Sequence, residues 1–228
     1  MNTTISRIRS FTRNMNTVSP IASSAVRWSL VAVLTASMVH EVQAAVECES
    51  FKWQEERLDF TAPKDQLRIS QIEGHHFDAD TESLIRGMTG SIGADIDFLV
   101  RYSPNHHRGL AALVRLALKD KTPKPSGVQM PVECYLLRAL EFKPSDPEVH
   151  KIYATYLARQ GRNSEALATF EQAEKLAPND PVIAYNIGLL LTEKRDFERA
   201  RAYARKAYAG GIELPGLRDK LARQGQWR

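Results

Sequence analysis

The sequence predicts an all-α fold, a solenoid of about three to four antiparallel helix pairs. Three observations predict it. First, the chain resembles itself when displaced by 34 residues: Ala166 falls on Ala200, Ala173 on Ala207 and on Ala139, Pro178 on Pro144, and "GRNSEA" (Gly161 to Ala166) on "RDFERA" (Arg195 to Ala200). A fixed period between about 20 and 50 residues marks stacked supersecondary units. Second, the apolar residues inside each period follow helical spacing, as in Val149, Ile152, Tyr153, Tyr156 and Leu157, which line one face of a helix. Third, each period ends on helix punctuation. Pro178 cannot continue a helix interior, and Asp146-Pro147 and Asp180-Pro181 place a capping acid before a proline at the first helical position.

In chain order, residues 1–44 read as a secretory signal. Arg7, Arg9, Arg13 and Arg27 precede an apolar run from about Trp28 to Val39, followed by Val42-Gln43-Ala44. The run is shorter than the roughly 20 residues of a membrane span. Met15 is an alternative start that would give a leader of ordinary length. No twin arginine is present, so the expectation is Sec-type export to the periplasm. The acidic residue before Cys48 does not suit a lipoprotein site. An uncleaved anchor is the alternative, and the only membrane attachment the sequence offers. Residues 45–78 form an N-terminal segment with no repeat. "QLRISQIEGHHF" alternates Leu67 and Ile69 before Ile72 and reads as extended pieces lying along the solenoid, with the option that they fill its groove. Residues 79–104 read as a degenerate helix pair, "DADTESLIRG" and "SIGADIDFLVRYSPN", joined by the glycine-rich "GMTGSIGAD" and stopped by Pro104. The solenoid proper spans 105–228. Its first helix is Asn105–Asp120 with Asn105 as N-cap, then comes the long connection "KTPKPSGVQMP", then a helix carrying Cys134 and Ala139. Pro147–Arg159 is the next first helix. Gly161 supplies the left-handed residue that stops it, and Ala166, Leu167, Phe170, Ala173 and Leu176 stripe its partner. Ile183, Ile187, Leu190 and Leu191, then Phe197, Ala200, Ala204 and Ala207, repeat the logic. The alanines stand where helices cross closely. Leu214–Trp227 reads as a capping helix started by Pro215, with Leu217 and Leu221 covering the apolar end that a stacked array otherwise exposes.

This pattern resembles the tetratricopeptide repeat family. The unit Pro147–Asp180 matches at Gly161, Glu165, Ala166, Phe170, Ala173, Leu176, Pro178 and Asn179. The next matches at Tyr185, Asn186, Gly188, Asp196, Phe197, Ala200, Lys206 and Ala207, and departs at Ile212, where a proline is expected. The resemblance implies a concave groove lined by the first helix of each pair, which receives an extended peptide or a partner helix. Carried onto this sequence, the groove residues are Lys151, Thr155, Arg159, Tyr185, Asn186, Leu189 and Glu193. Tyr185 and Asn186 have packing between repeats as an equal alternative. The two units repeat no basic-plus-asparagine clamp, which puts a receptor for a C-terminal carboxylate in doubt.

The remaining chemistry is sparse. The leader holds four of the 31 bases and one of the 27 acids. Beyond residue 44 the net charge is therefore +1, and the case for nucleic-acid binding is lost with the leader. Cys48 and Cys134 are the two cysteines, and an exported chain is expected to pair them. Two histidine pairs, His75-His76 and His106-His107, offer ligands for zinc or copper beside Asp78, Asp80 or Glu82; capping and surface exposure are the alternative. Asp95 and Asp97 read as exposed helix acids. No cofactor motif or nucleophile cluster argues for an enzyme. The expected function is a periplasmic protein-interaction module that binds an envelope, secretion, pilus or polysaccharide component. The alternatives are a metal-binding protein using the histidine pairs and a self-associating structural protein.

Overall fold

In the computed structural model the described residues are Cys48 and 56–227. The expected leader lies outside them, as do residues 49–55. Among the described residues the fold is all-helical: α1 (Gln66–His76), α2 (Ala79–Glu82), α3 (Ile92–Tyr102), α4 (His107–Asp120), α5 (Val132–Phe142), α6 (Pro147–Arg159), α7 (Asn163–Leu176), α8 (Pro181–Glu193), α9 (Phe197–Ala209) and α10 (Gly216–Arg223). None of these helices is long and apolar enough to cross a membrane. The predicted solenoid is present. The tightest pairs are α6 with α7 and α8 with α9, and α7 also packs on α8 to join the units.

Local chemistry sets these boundaries. Asp146 and Asp180 accept hydrogen bonds from the two backbone N–H groups at the starts of α6 and α8, and a proline occupies the first turn of each. These caps satisfy donors that a helix start cannot pair internally. At the other ends, Lys121 (φ 52°), Gly161 (φ 76°) and Arg195 (φ 62°) take the left-handed conformation. The next residue then donates to a carbonyl five positions back: Thr122 to Ala117 at 3.1 Å, Arg162 to Leu157 at 3.0 Å and Asp196 to Leu191 at 2.9 Å. This is the Schellman closure, in which glycine is the unstrained residue. Gly161 is the predicted stop, and Arg195 is its counterpart one repeat later. A residue with a Cβ is strained there by about 1–2 kcal/mol, of which glycine gives back part as unfolded-chain entropy. Arg195→Gly is therefore expected to stabilise the protein by about 0.5–1 kcal/mol, read as a higher urea midpoint with an unchanged slope.

The small residues sit at the crossings. Ala166, Ala173, Ala200, Ala204 and Ala207 are fully buried. At Gly188 even a methyl group would lie 2.6 Å from Leu217 Cδ2, because α10 closes directly on α8 there. Leu217 and Leu221 are fully buried, and Trp227 packs edge-on to Tyr208. The capping role expected of Leu214–Trp227 is met by the shorter helix α10.

The N-terminal part corrects several expectations. "QLRISQIEGHH" is helical, not extended: Ile69 and Ile72, three apart, are buried, while Leu67 is 73% exposed. α1 packs on α3, and the first helix of the degenerate pair is one turn, α2. The cap of α4 is His106, whose Nδ1 accepts from the Gly109 N–H at 3.0 Å, and not Asn105. Asp95 and Asp97 are buried, not exposed. Asp95 accepts from the N–H groups of Met88 and Thr89, which ties down the glycine-rich loop. Asp97 accepts from the Tyr135 hydroxyl, from Gln129 N at 3.2 Å and from Arg101 Nε at 2.9 Å, which anchors the long connection between α4 and α5. Cys48 and Cys134 form a disulfide with a Cα separation of 5.4 Å. It ties the segment before α1 to the start of α5. By restricting the unfolded chain such a bridge contributes about 2–4 kcal/mol.

Candidate functional site

α4, α6 and α8 are the first helices of successive pairs, and their outward faces form one groove. Between α4 and α6 it opens into a cleft of about 280 Å³, floored by Val114, Leu118 and Ile152 and edged by Arg115, Glu148, Lys151 and Arg159. Between α6 and α8 a second cleft, about 370 Å³, holds Asn163, Asn186, Leu189 and Glu193 over Phe170 and Leu190. Thr155 and Arg159 belong to both clefts, so the surface is continuous across the repeat boundary. No residue of the 56–78 stretch lines either one. The described part of the N-terminal segment therefore leaves the groove open.

Six of the seven expected groove residues lie here. Tyr185 does not; its hydroxyl approaches Gly216, closer than a Cβ there would tolerate, and it serves the contact with α10. Lys151 meets carboxylates, but internal ones: Glu148 at 2.6 Å and Asp180 at 3.1 Å. Burial works to lower the Lys151 pKa, yet its bonds to these two acids hold it above the ordinary lysine value. Burial likewise works to raise Asp180, and the Lys151 bond and backbone N–H groups outweigh it and hold it low. Lys151 thus locks the start of α8 to α6. Asn186 lines the second cleft, and its Nδ2 donates to the Val182 carbonyl of its own helix at 2.8 Å. Thr155 likewise bonds back to the Lys151 carbonyl. Glu193 is shared by Asn163 at 2.8 Å and Lys220 at 2.7 Å.

The α4 contribution (Ala111, Val114, Arg115 and Leu118) was not among the expected groove residues. Its signal is a second stripe on Asn105–Asp120 (Ala111, Val114, Leu118), one residue and so about 100° on from the core stripe of Leu110, Leu113 and Ala117. The 34-residue comparison passes over it because the long connection breaks the period at residues 121–131.

The histidines do not converge on a metal. Among the described residues no group of three or more His, Cys, Asp or Glu side chains is placed to hold one. Three of the four histidines in the two pairs each meet a different carboxylate instead. His76 Nδ1 lies 2.9 Å from Asp95, and its ring stacks on Phe98. His107 Nε2 lies 2.9 Å from Asp146. His106 is completely buried; because its Nδ1 accepts from Gly109, its Nε2 carries the proton and donates to Glu73 at 2.9 Å. Burial holds the His106 pKa below the ordinary histidine value against the pull of Glu73. His75 stays exposed at the rim of a separate cleft between α1 and α3. Phe60 packs on the rings of both His106 and His107. Asn105 Nδ2 bridges Asp59 at 2.9 Å and Asp146 at 3.1 Å. These residues clamp the segment before α1 onto the solenoid.

The groove geometry, built from paired helices at a 34-residue repeat, agrees with the comparisons. Residues 135–181 and 153–215 match the family model described as tetratricopeptide repeat. Over this stretch the chain is similar to tetratricopeptide repeats. A solved structure from Pseudomonas aeruginosa, reported in a functional characterization of PilF, superposes with a TM-score of 0.51 at 18% identity. The match covers 71% of this chain and 69% of that one, and it supports the tetratricopeptide-like solenoid as the fold. No curated protein matches the sequence.

Proposed function

We propose that this chain is an exported protein-interaction module whose α4–α6–α8 groove receives a peptide or helix of another envelope protein. The observation that carries this reading is the continuity of the two clefts through Thr155 and Arg159. A partner segment lying across that seam would contact three repeats at once. The combination of an apolar floor with a few convergent polar groups is what such sites require. Export is supported by the signal pattern over 1–44 and by the Cys48–Cys134 disulfide, which persists in oxidising compartments.

Thr155→Trp tests the reading. Its side chain stands on the seam between the clefts and holds nothing outside its own helix. A tryptophan there is expected to fill the groove while leaving the melting temperature within a few degrees. Crosslinking of the tagged protein in intact cells is expected to capture one envelope protein with the wild type and to lose it with the variant. Retention of that partner by Thr155→Trp, or self-crosslinks alone, would sink the proposal.

A further inference from the structure

The acids of the groove are already paired with basic side chains, and its arginines have no hydrogen-bonded carboxylate among the described residues. Glu148 and Asp180 are both held by Lys151, and Glu193 is held by Lys220 and Asn163. Arg159 is exposed, lines the clefts on both sides of α6 and has no carboxylate partner among the described residues. Arg115 gives one N–H to the backbone carbonyl of Glu82 at 2.8 Å, while the Glu82 carboxylate is taken by Arg108. Lys121 stands beside Arg159 around a third opening at the C-terminal end of α4. The groove therefore presents two guanidinium groups around the apolar floor of Val114, Leu118 and Ile152, with the Lys121 ammonium at the adjoining opening.

Building on the groove reading above, we infer that the occupant is an acidic, apolar segment of a partner protein: one or two large aliphatic side chains seated on Val114, Leu118 and Ile152, with Asp or Glu side chains reaching Arg115 and Arg159. Guanidinium groups suit this because they bind carboxylates through paired N–H donors and are weakly hydrated. The chain's own leader fits poorly, since residues 1–44 carry four arginines and one glutamate. With Glu148 and Glu193 already paired to lysines, the rim's remaining charge is positive and disfavours basic segments, which is how a shallow groove gains specificity.

The test uses the full oxidised chain and three labelled peptides of equal length. They share the same leucine positions and carry Glu, Gln or Lys elsewhere. Fluorescence anisotropy is expected to rank them Glu, Gln, Lys, with the Glu peptide binding about tenfold more tightly than the Gln peptide. That binding is expected to weaken as salt shortens the screening length from about 10 Å to about 3 Å. In Arg115→Glu/Arg159→Glu the ranking is expected to invert. Equal binding of the Glu and Gln peptides, no inversion in the double variant, or no binding by any peptide would overturn the inference. If Thr155→Trp abolishes binding that is indifferent to charge, the groove stands and only the inference about its occupant falls. If the Glu peptide binds Thr155→Trp unchanged, the groove reading itself falls. Sedimentation adds one more outcome: self-association that the Glu peptide does not displace would make a second copy the occupant and overturn the inference.

Discussion

Replacing Phe170 with alanine is expected to lower the unfolding free energy by about 3–5 kcal/mol, the range for deleting a buried aromatic side chain. Phe170 is 1% exposed and sits on α7 where that helix meets both α6 and α8. It lines the second cleft together with Thr155 and Ala158 of α6 and Leu189 and Leu190 of α8. It is one of the few large side chains on α7. The other buried positions of that helix are Ala166, Leu167 and Ala173, and the two alanines permit close approach without filling space. Loss of the ring leaves a cavity that rigid helix crossings cannot collapse. A stacked array has mainly nearest-neighbour contacts, so the damage should fall on the junction between the α6/α7 and α8/α9 pairs. Urea unfolding is expected to show a lower midpoint and, if the pairs uncouple, a shallower transition. Phe170→Leu retains most of the volume and is expected to cost about 1–1.5 kcal/mol. A Phe170→Ala cost below about 1.5 kcal/mol would mean that the ring does not join the two pairs.

The parts legible in the sequence were those encoded by near neighbours. A proline, a capping aspartate and a left-handed glycine each act within one helical turn, so the ends of α6 and α8 can be read from Asp146-Pro147, Gly161 and Asp180-Pro181. The apolar stripes of α6 to α9 needed only the 3.6-residue period. The misread parts depend on long-range docking. Nothing local says that Asn105 bridges Asp59 and Asp146, or that His106 is buried against Glu73. Asp97 looks like a helix-surface acid until the connection after α4 folds back and delivers Gln129 and Tyr135 to it. The groove divides in the same way. Thr155, Arg159, Asn186, Leu189 and Glu193 follow from repeat register. Arg115 and Val114 are missed because an insertion shifts the register, and Tyr185 is misplaced because the capping helix claims it.

Asp146→Ala is expected to cost about 3 kcal/mol, summed from a lost N-cap and lost hydrogen bonds to a buried carboxylate. Asp146 is 3% exposed. It caps α6 through Glu148 and Val149 N–H, and accepts from His107 at 2.9 Å and Asn105 at 3.1 Å. One side chain therefore joins the repeat to the N-terminal clamp. Burial works to raise its pKa, but the bond and charge of His107, the Asn105 amide and the Val149 N–H hold it below the ordinary carboxylate range. Glu73 is depressed chiefly by its bond from His106. Asp59 is held well below the usual range despite burial, by Lys143, Asn105 and Thr61. A carboxylate with a depressed folded-state pKa binds fewer protons folded than unfolded. Its contribution is present above the unfolded value near 4 and is lost as pH falls through and below it. Stability is thus expected to drop from about pH 4 downward, with the clamp around Asp59, Glu73 and Asp146 failing first. Asp146→Asn separates the two roles. Asparagine keeps the cap, so the variant should cost less than Asp146→Ala at neutral pH, while both variants should flatten the acid limb by the same amount. Melting curves from pH 7 to pH 2 decide the matter: a wild-type acid limb left intact in both variants would show that Asp146 does not couple the clamp to the solenoid through its charge.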